Sequence, residues 1–165
     1  MTTVLMICTG NICRSPMAAA LLQARLDSEG RDDWQVLSAG IRAPAGRPAS
    51  AYAQAEMEER GLDVSDHRSR GVTEELMERA DLVLVMARHH AEELSAAFPR
   101  HADKVHLLSE MVGKRYDISD PYGGTRLEYA YIAQELEELI EEGYERIVTL
   151  AETGEAAAGG RPTVE

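Results

Sequence analysis

The run Cys8-Thr9-Gly10-Asn11-Ile12-Cys13-Arg14-Ser15-Pro16 sets a thiol ahead of an arginine in the spacing Cys-x5-Arg. It follows the apolar stretch Val4-Leu5-Met6-Ile7 directly, so a buried strand delivers Cys8 to its C-terminal end. The loop then opens into a helix, for which Ser15 is the expected N-cap and Pro16 the first helical position. A loop leading into a helix N-terminus points unpaired backbone N–H groups at one spot, and the helix dipole adds positive potential there. Such a cradle suits a tetrahedral oxyanion, and the same field favours thiolate over thiol at Cys8. Arg14 adds a guanidinium able to hold two oxygens at once. The chemistry these parts support is displacement at phosphorus through a covalent thiophosphate. A cysteine closing a buried strand is ordinarily a small apolar filler. The Cys-x5-Arg-Ser spacing at a strand-to-helix junction is what argues for a nucleophile instead.

The elements that must position this loop alternate along the chain. Val4–Ile7 reads as a first strand, Ser15 to about Glu29 as a helix ended by Gly30, and Trp34–Ala39 as a second strand. Gly40–Arg47 is a loop rich in Gly, Pro and Ala, and Ala49–Arg60 is a helix stopped by Gly61. Thr73 begins a third helix, Asp81–Met86 is a buried strand, His89–Phe98 a fourth helix and Val105–Leu108 a last strand. Gly113–Gly124 is an irregular loop and Thr125–Glu142 a long acidic helix. Strands that are continuous apolar runs, alternating with helices, indicate a parallel sheet covered on both faces. Ligands of open α/β sheets bind beyond the carboxyl ends of the strands, where Cys8 sits. Residues 1–150 are expected to form one domain and residues 151–165 a disordered tail.

The chain has 165 residues, with 44% hydrophobic and 28% charged content, enough for one domain with a full core. Its formal net charge of −12, from 29 acidic and 17 basic residues, argues against nucleic acid as a partner. Lys104 and Lys114 are the only lysines. The longest apolar runs fall short of a membrane span, and no basic segment leads a hydrophobic signal region, so a cytoplasmic protein with no membrane partner is expected. Two cysteines in one short loop make neither a disulfide framework nor a zinc site. The histidines His89, His90, His101 and His106 show no metal spacing with acids and read as structural or solvated.

The residues Cys8 to Pro16, taken with Ser38-Ala39-Gly40 and Asp117-Ile118-Ser119-Asp120-Pro121, resemble the low-molecular-weight protein tyrosine phosphatase family over roughly residues 3 to 148. The resemblance implies a three-layer α/β/α sandwich on a four-stranded parallel sheet of order 2-1-3-4. It also implies a metal-independent enzyme without a cofactor, acting on phosphorylated protein and inhibited by inorganic phosphate or vanadate. Cys8 would attack phosphorus, while Arg14 and the loop amides of Thr9, Gly10, Asn11, Ile12, Cys13 and Arg14 would hold the phosphoryl oxygens. Asp120 would protonate the leaving oxygen and then activate water; Asp117 is the competing carboxylate. Gly10 and Asn11 are expected in left-handed conformations that turn the amides inward. Asn11, Ser15, Ser38 and His67 match a supporting hydrogen-bond network, and Ser15 also matches a donor to the Cys8 thiolate. Cys13 is expected either to pack under the loop or to form a reversible disulfide with Cys8.

Ile12 and Tyr122 are the expected substrate walls. The chain departs from the family where Gly123-Gly124 replaces a second aromatic, and where Ile41–Gly46 lacks a bulky aromatic. Tyr122–Thr125 and Thr73–Glu78 resemble the bacterial branch that includes protein arginine phosphatases. That branch carries threonine at the position of Ile12, whereas tyrosine phosphatases carry isoleucine, so Ile12 favours phosphotyrosine and leaves phosphoarginine as the alternative. Arsenate reductases of this fold need further cysteines to relay oxidation, and a phosphocarrier has no use for Asp120; both are less favoured.

Overall fold

A computed structural model describes residues 1–154. Its sheet has four parallel strands: β1 (Thr2–Cys8), β2 (Trp34–Gly40), β3 (Leu82–Val85) and β4 (Val105–Leu107), in the order 2-1-3-4. β1 lies between β2 and β3, and its residues Val4 to Ile7 are wholly buried. Both of its faces are covered, which is why the strand is apolar at every position from Val4 to Ile7 and not at alternate ones.

The twofold period of the strand divides these side chains between two cores. Val4, Met6 and Cys8 join Met17 and Leu22 of α1 (Arg14–Ser28), Met57 of α2 (Ala51–Glu59) and Leu136 of α5 (Arg126–Thr153). Leu5 and Ile7 face the opposite way, with Met77 of α3 (Glu74–Arg79) and Leu94 of α4 (Arg88–Ala97). The result is a three-layer α/β/α sandwich. The even-numbered phase of β1 is also what turns Cys8 toward α1.

Helix α5 runs on past Glu142, where the sequence pattern ends it, to Thr153. The cause is Gly143, which allows close approach. A Cβ there would come within 2.6 Å of the Met111 Cβ, so the glycine seats the helix on the 108–112 turn without breaking it. Beyond it Tyr144, Ile147, Val148 and Ala151 are buried. Residues 151–153 are therefore helical with Gly154 as the C-cap, and residues 155–165 of the expected tail lie outside the described residues.

β2 is an edge strand, and a side chain covers part of its open edge. Gln23 of α1 accepts from the Val36 N–H at 2.9 Å and donates to the Trp34 carbonyl at 3.2 Å. Among the described residues no helix is long and apolar enough to cross a membrane.

Candidate active site

The loop between β1 and α1 is held by its neighbours on every side. The carbonyls of Cys8 and Thr9 accept from the N–H groups of Ile41 and Arg42, and the Ile12 carbonyl accepts from Ser50 N–H. The backbone N–H groups of Gly10, Asn11, Ile12 and Cys13 have no acceptor among the described residues. The end of β2 presses against the same loop. A Cβ on Gly40 would lie 2.6 Å from the Thr9 carbonyl oxygen and 3.0 Å from the Asn11 nitrogen, so only glycine fits there.

Among the described residues Asn11 is the one non-glycine residue with positive φ, at 58°. Gly10 does not share the left-handed conformation expected of it, and a Cβ there would make only an ordinary 3.7 Å contact with Ile12. The turn is thus made at a single residue, and the buried Asn11 is fixed in it by its own side chain. Its Nδ2 donates to Ser15 Oγ at 2.8 Å and Ser38 Oγ at 3.0 Å, and its Oδ1 accepts from Arg70 N–H at 3.0 Å. Its carbonyl accepts from His67 Nε2 at 2.6 Å. Burial pushes the His67 pKa down, against the pull of that hydrogen bond, which keeps the ring neutral with its proton on Nε2.

Ser15 is not the N-cap of α1. That position is Cys13, no side chain caps the helix, and Ser15 Oγ lies 3.0 Å from Cys8 Sγ instead. Because Ser15 Oγ accepts from Asn11, its own hydrogen is left to point at the sulfur. A hydrogen bond to a charged group contributes roughly 1.5–3 kcal/mol, more than a neutral cap bond, and this hydroxyl is placed to supply one whenever the sulfur carries charge.

Arg14 is buried and its fork is fixed. Nη1 donates to the Ile118 carbonyl at 2.7 Å, and Nη2 lies 3.5 Å from both Thr9 Oγ1 and Asp120 Oδ2. Its Nε is a buried donor with no partner among the described residues. Asp120 is half exposed, and its Oδ1 accepts from Tyr122 N–H at 3.1 Å. Asp117 is turned elsewhere. Its Oδ1 accepts from the backbone N–H and Nε of Arg88, and the first of these bonds holds its carboxyl below the usual range.

Cys8, Thr9, Gly10, Ile12, Cys13, Arg14, Asp120 and Tyr122 line one cavity of about 320 Å³, with Pro44 and Arg47 from the loop after β2. A larger groove of about 620 Å³ between α1, β2 and residues 63–70 contains neither cysteine. The smaller cavity, at the carboxyl end of β1, is therefore the candidate site. Cys13 Sγ contacts Tyr129 Oη at 3.2 Å and Ser50 Oγ at 3.6 Å. Burial pushes the Cys13 thiol up and Tyr129 up to about 12, so this pair is neutral near pH 7.

A family model described as low molecular weight phosphotyrosine protein phosphatase matches residues 3–151. The chain belongs to that family. Among its members, the "Probable low molecular weight protein-tyrosine-phosphatase EpsP" of Ralstonia solanacearum is 44% identical over 120 residues, 73% of this chain and 78% of the relative. The protein-arginine-phosphatase of Bacillus subtilis is 41% identical over 138 residues, 83% of this chain and 91% of the relative. The solved structure of a low molecular weight protein tyrosine phosphatase from T. tengcongensis superposes with a TM-score of 0.84 at 43% identity, covering 88% of this chain and 99% of that one.

Several residues of this low molecular weight phosphatase site carry no signal in the sequence read alone. His90, read as structural or solvated, is buried, with Nδ1 accepting from Ala87 N–H at 3.1 Å and Nε2 at 2.8 Å from Thr9 Oγ1. Burial, with help from His89, Arg14 and Arg42, pushes its pKa down to about 3, so the ring is neutral and donates to Thr9 from Nε2. Tyr129, Ser50 and the Ile118 carbonyl also reach the loop from distant segments. Arg47 and Pro44 could have been found from their place in the Gly- and Pro-rich loop beyond a strand's carboxyl end. His101 does meet acids, contrary to the spacing argument. Its Nε2 lies 2.8 Å from Glu74 and 3.3 Å from Glu78, one turn apart on α3, but Arg100 pairs with the same carboxylates and the cluster is an ion-pair network away from the cavity.

Proposed function

We propose that this chain is a metal-independent cysteine phosphatase that hydrolyses protein phosphotyrosine and aryl phosphates through a cysteinyl-phosphate. The observation that carries the proposal is the Arg14 guanidinium. Its buried Nε lacks a partner while Nη1 is anchored, in a cavity it shares with Cys8 and Asp120. A buried unpaired donor costs about 1–3 kcal/mol, which a bound phosphoryl oxygen would recover. Cys8 Sγ attacks phosphorus and the phosphorus–oxygen bond to the phenol breaks, with Asp120 supplying the proton to the departing oxygen. Water then attacks the cysteinyl-phosphate, Asp120 takes its proton, and the sulfur–phosphorus bond breaks to release inorganic phosphate. The amides of Gly10 to Cys13 and the Arg14 guanidinium stabilise the equatorial oxygens, and Ser15 stabilises the thiolate as it leaves. A structural relative supports the covalent step. It is an arginine phosphatase mutant with serine in place of cysteine and a phosphorylated active site serine, with TM-score 0.84 and 38% identity.

The arginine phosphatases among the relatives favour a second reading, phosphoarginine as substrate. Ile12 on the cavity wall favours the first. A branched apolar group contacts a phenyl ring well and leaves guanidinium N–H groups unpaired, at a cost of about 1–3 kcal/mol. The deciding measurement is kcat/KM on matched phosphotyrosine and phosphoarginine peptides for the wild type and Ile12→Thr. The wild type should prefer phosphotyrosine, and the variant should move toward phosphoarginine by at least about tenfold. A wild type faster on phosphoarginine would reverse the substrate assignment. Inorganic phosphate and vanadate should compete with substrate, and EDTA should leave turnover unchanged.

A further inference from the structure

Among the described residues, every arginine but one has its guanidinium engaged by a carboxylate, a carbonyl or a side-chain amide. The exception is Arg47. In a chain with 29 acidic residues against 17 basic ones, an unpaired guanidinium is unexpected, since surface acids are plentiful. Its place is equally unusual, because Arg47 lines the cavity that holds Cys8 and Asp120.

Only the side chain is at liberty. The Arg47 N–H donates to Ser69 Oγ at 3.0 Å and its carbonyl accepts from Ser69 N–H at 2.7 Å. The buried Ser69 hydroxyl in turn donates to the Pro44 carbonyl. The loop that carries Arg47 is thereby clamped to the 65–70 segment, which also holds the Asn11 turn through His67 and Arg70. A long cationic side chain on a fixed base, exposed at the mouth of the cavity, is in position to meet whatever flanks the group bound inside.

We infer that Arg47 is a specificity-determining residue that binds an acidic side chain next to the phosphorylated residue of the substrate, an inference that rests on the phosphatase reaction proposed above. The phosphoryl group is provided for by Arg14 and the loop amides. Arg47 is the second cation of the cavity, and a carboxylate of the flanking peptide is its chemical complement. The net charge of −12 does not override this, because charges farther away than about 8 Å are screened at physiological salt while the rim contact is direct.

The test uses two phosphotyrosine peptides identical except for Glu or Lys on both sides of the phosphotyrosine. Their kcat/KM values are compared in the wild type, Arg47→Lys, Arg47→Ala and Arg47→Glu. The wild type should favour the Glu peptide by about three- to tenfold, through KM, with the preference shrinking as salt is raised. Arg47→Lys should retain the preference, Arg47→Ala lose it and Arg47→Glu reverse it. The Arg47 side chain has no partner to lose, and the alanine variant guards against a folding defect specific to the glutamate. Equal peptide ratios in the wild type, Arg47→Ala and Arg47→Glu, with both peptides turned over, would overturn the inference and leave the phosphatase reaction standing. A wild type that hydrolyses neither the peptides nor a simple aryl phosphate would overturn both.

Discussion

Replacing Asn11 by alanine and by glycine separates two things this residue does. Its side chain makes hydrogen bonds to Ser15 and Ser38 in the buried interior and to the Arg70 N–H at its partly buried margin, at 2.8–3.0 Å, and its backbone holds φ at 58°. Each buried bond contributes about 1 kcal/mol net, so losing the side chain costs about 3 kcal/mol in either variant. Alanine adds a left-handed penalty of roughly 1–2 kcal/mol that glycine escapes. Glycine in turn gives back about 0.4–1 kcal/mol through the greater freedom of its unfolded chain. Asn11→Ala should therefore lose about 4 kcal/mol and Asn11→Gly about 0.5–1 kcal/mol less. For a chain of this size each kcal/mol moves Tm by about 2–4 °C, which puts the alanine variant about 8–16 °C below wild type. Urea unfolding gives the free energies, and thermal melts followed by circular dichroism give the Tm values. A loss below about 1 kcal/mol in Asn11→Ala, or an alanine variant as stable as the glycine one, would refute the account of the turn.

Three further outcomes follow from the same geometry. His90 is neutral when folded, with its pKa held down to about 3 by burial despite the opposing pull of Asp117, so the unfolded chain binds its proton first and stability falls as pH drops below about 6.5. The stability gap between wild type and His90→Gln should shrink by about 2 kcal/mol from pH 7 to pH 5, and an unchanged gap in urea titrations would show the ring is charged in the fold. Asp120→Asn should slow aryl phosphate hydrolysis by roughly 10²- to 10⁴-fold, less for phenols that are already good leaving groups; an equal loss across phenols would make the carboxylate structural. Peroxide should inactivate the wild type reversibly on reduction but Cys13→Ser irreversibly, and equal recovery of both would leave Cys13 as packing beneath Tyr129.

What was legible in the sequence was local or periodic. Continuous apolar runs gave the buried strands, and the phase of Val4–Ile7 carries Cys8 to the face of α1. Thr73 and Thr125 cap α3 and α5 through their hydroxyls. What was not legible depended on competition for a partner or on contacts between distant segments. Ser15 has the sequence of a cap, yet its hydroxyl is taken by Cys8 and Asn11. Asp120 is set apart from Asp117 in the sequence by the Pro121 that follows it, but the engagement of Asp117 by Arg88 is visible only in the fold. His90 reaches Thr9, and Tyr129 reaches Cys13, only once the sheet and α5 are assembled. Gly143 lies just past the Glu142 end read from the sequence, and its missing side chain marks a close neighbour, Met111, and not a stop.

The glutamine that covers β2 bears on how copies of this chain can meet. A sheet ordinarily grows by accepting a foreign strand along an open edge, where unpaired N–H and C=O groups offer a template. Here Gln23 occupies the Val36 N–H and Trp34 carbonyl, and Arg70 Nε occupies the Ser38 carbonyl at 3.2 Å, so each of the three outward-facing residues Trp34, Val36 and Ser38 already has one backbone group taken. The opposite edge, β4, is only three residues long. An incoming strand would have to evict side chains at one end of the sheet and would find almost no template at the other. Self-association of this fold is thereby steered away from strand addition, the route that leads to fibres, and toward contacts between helical surfaces.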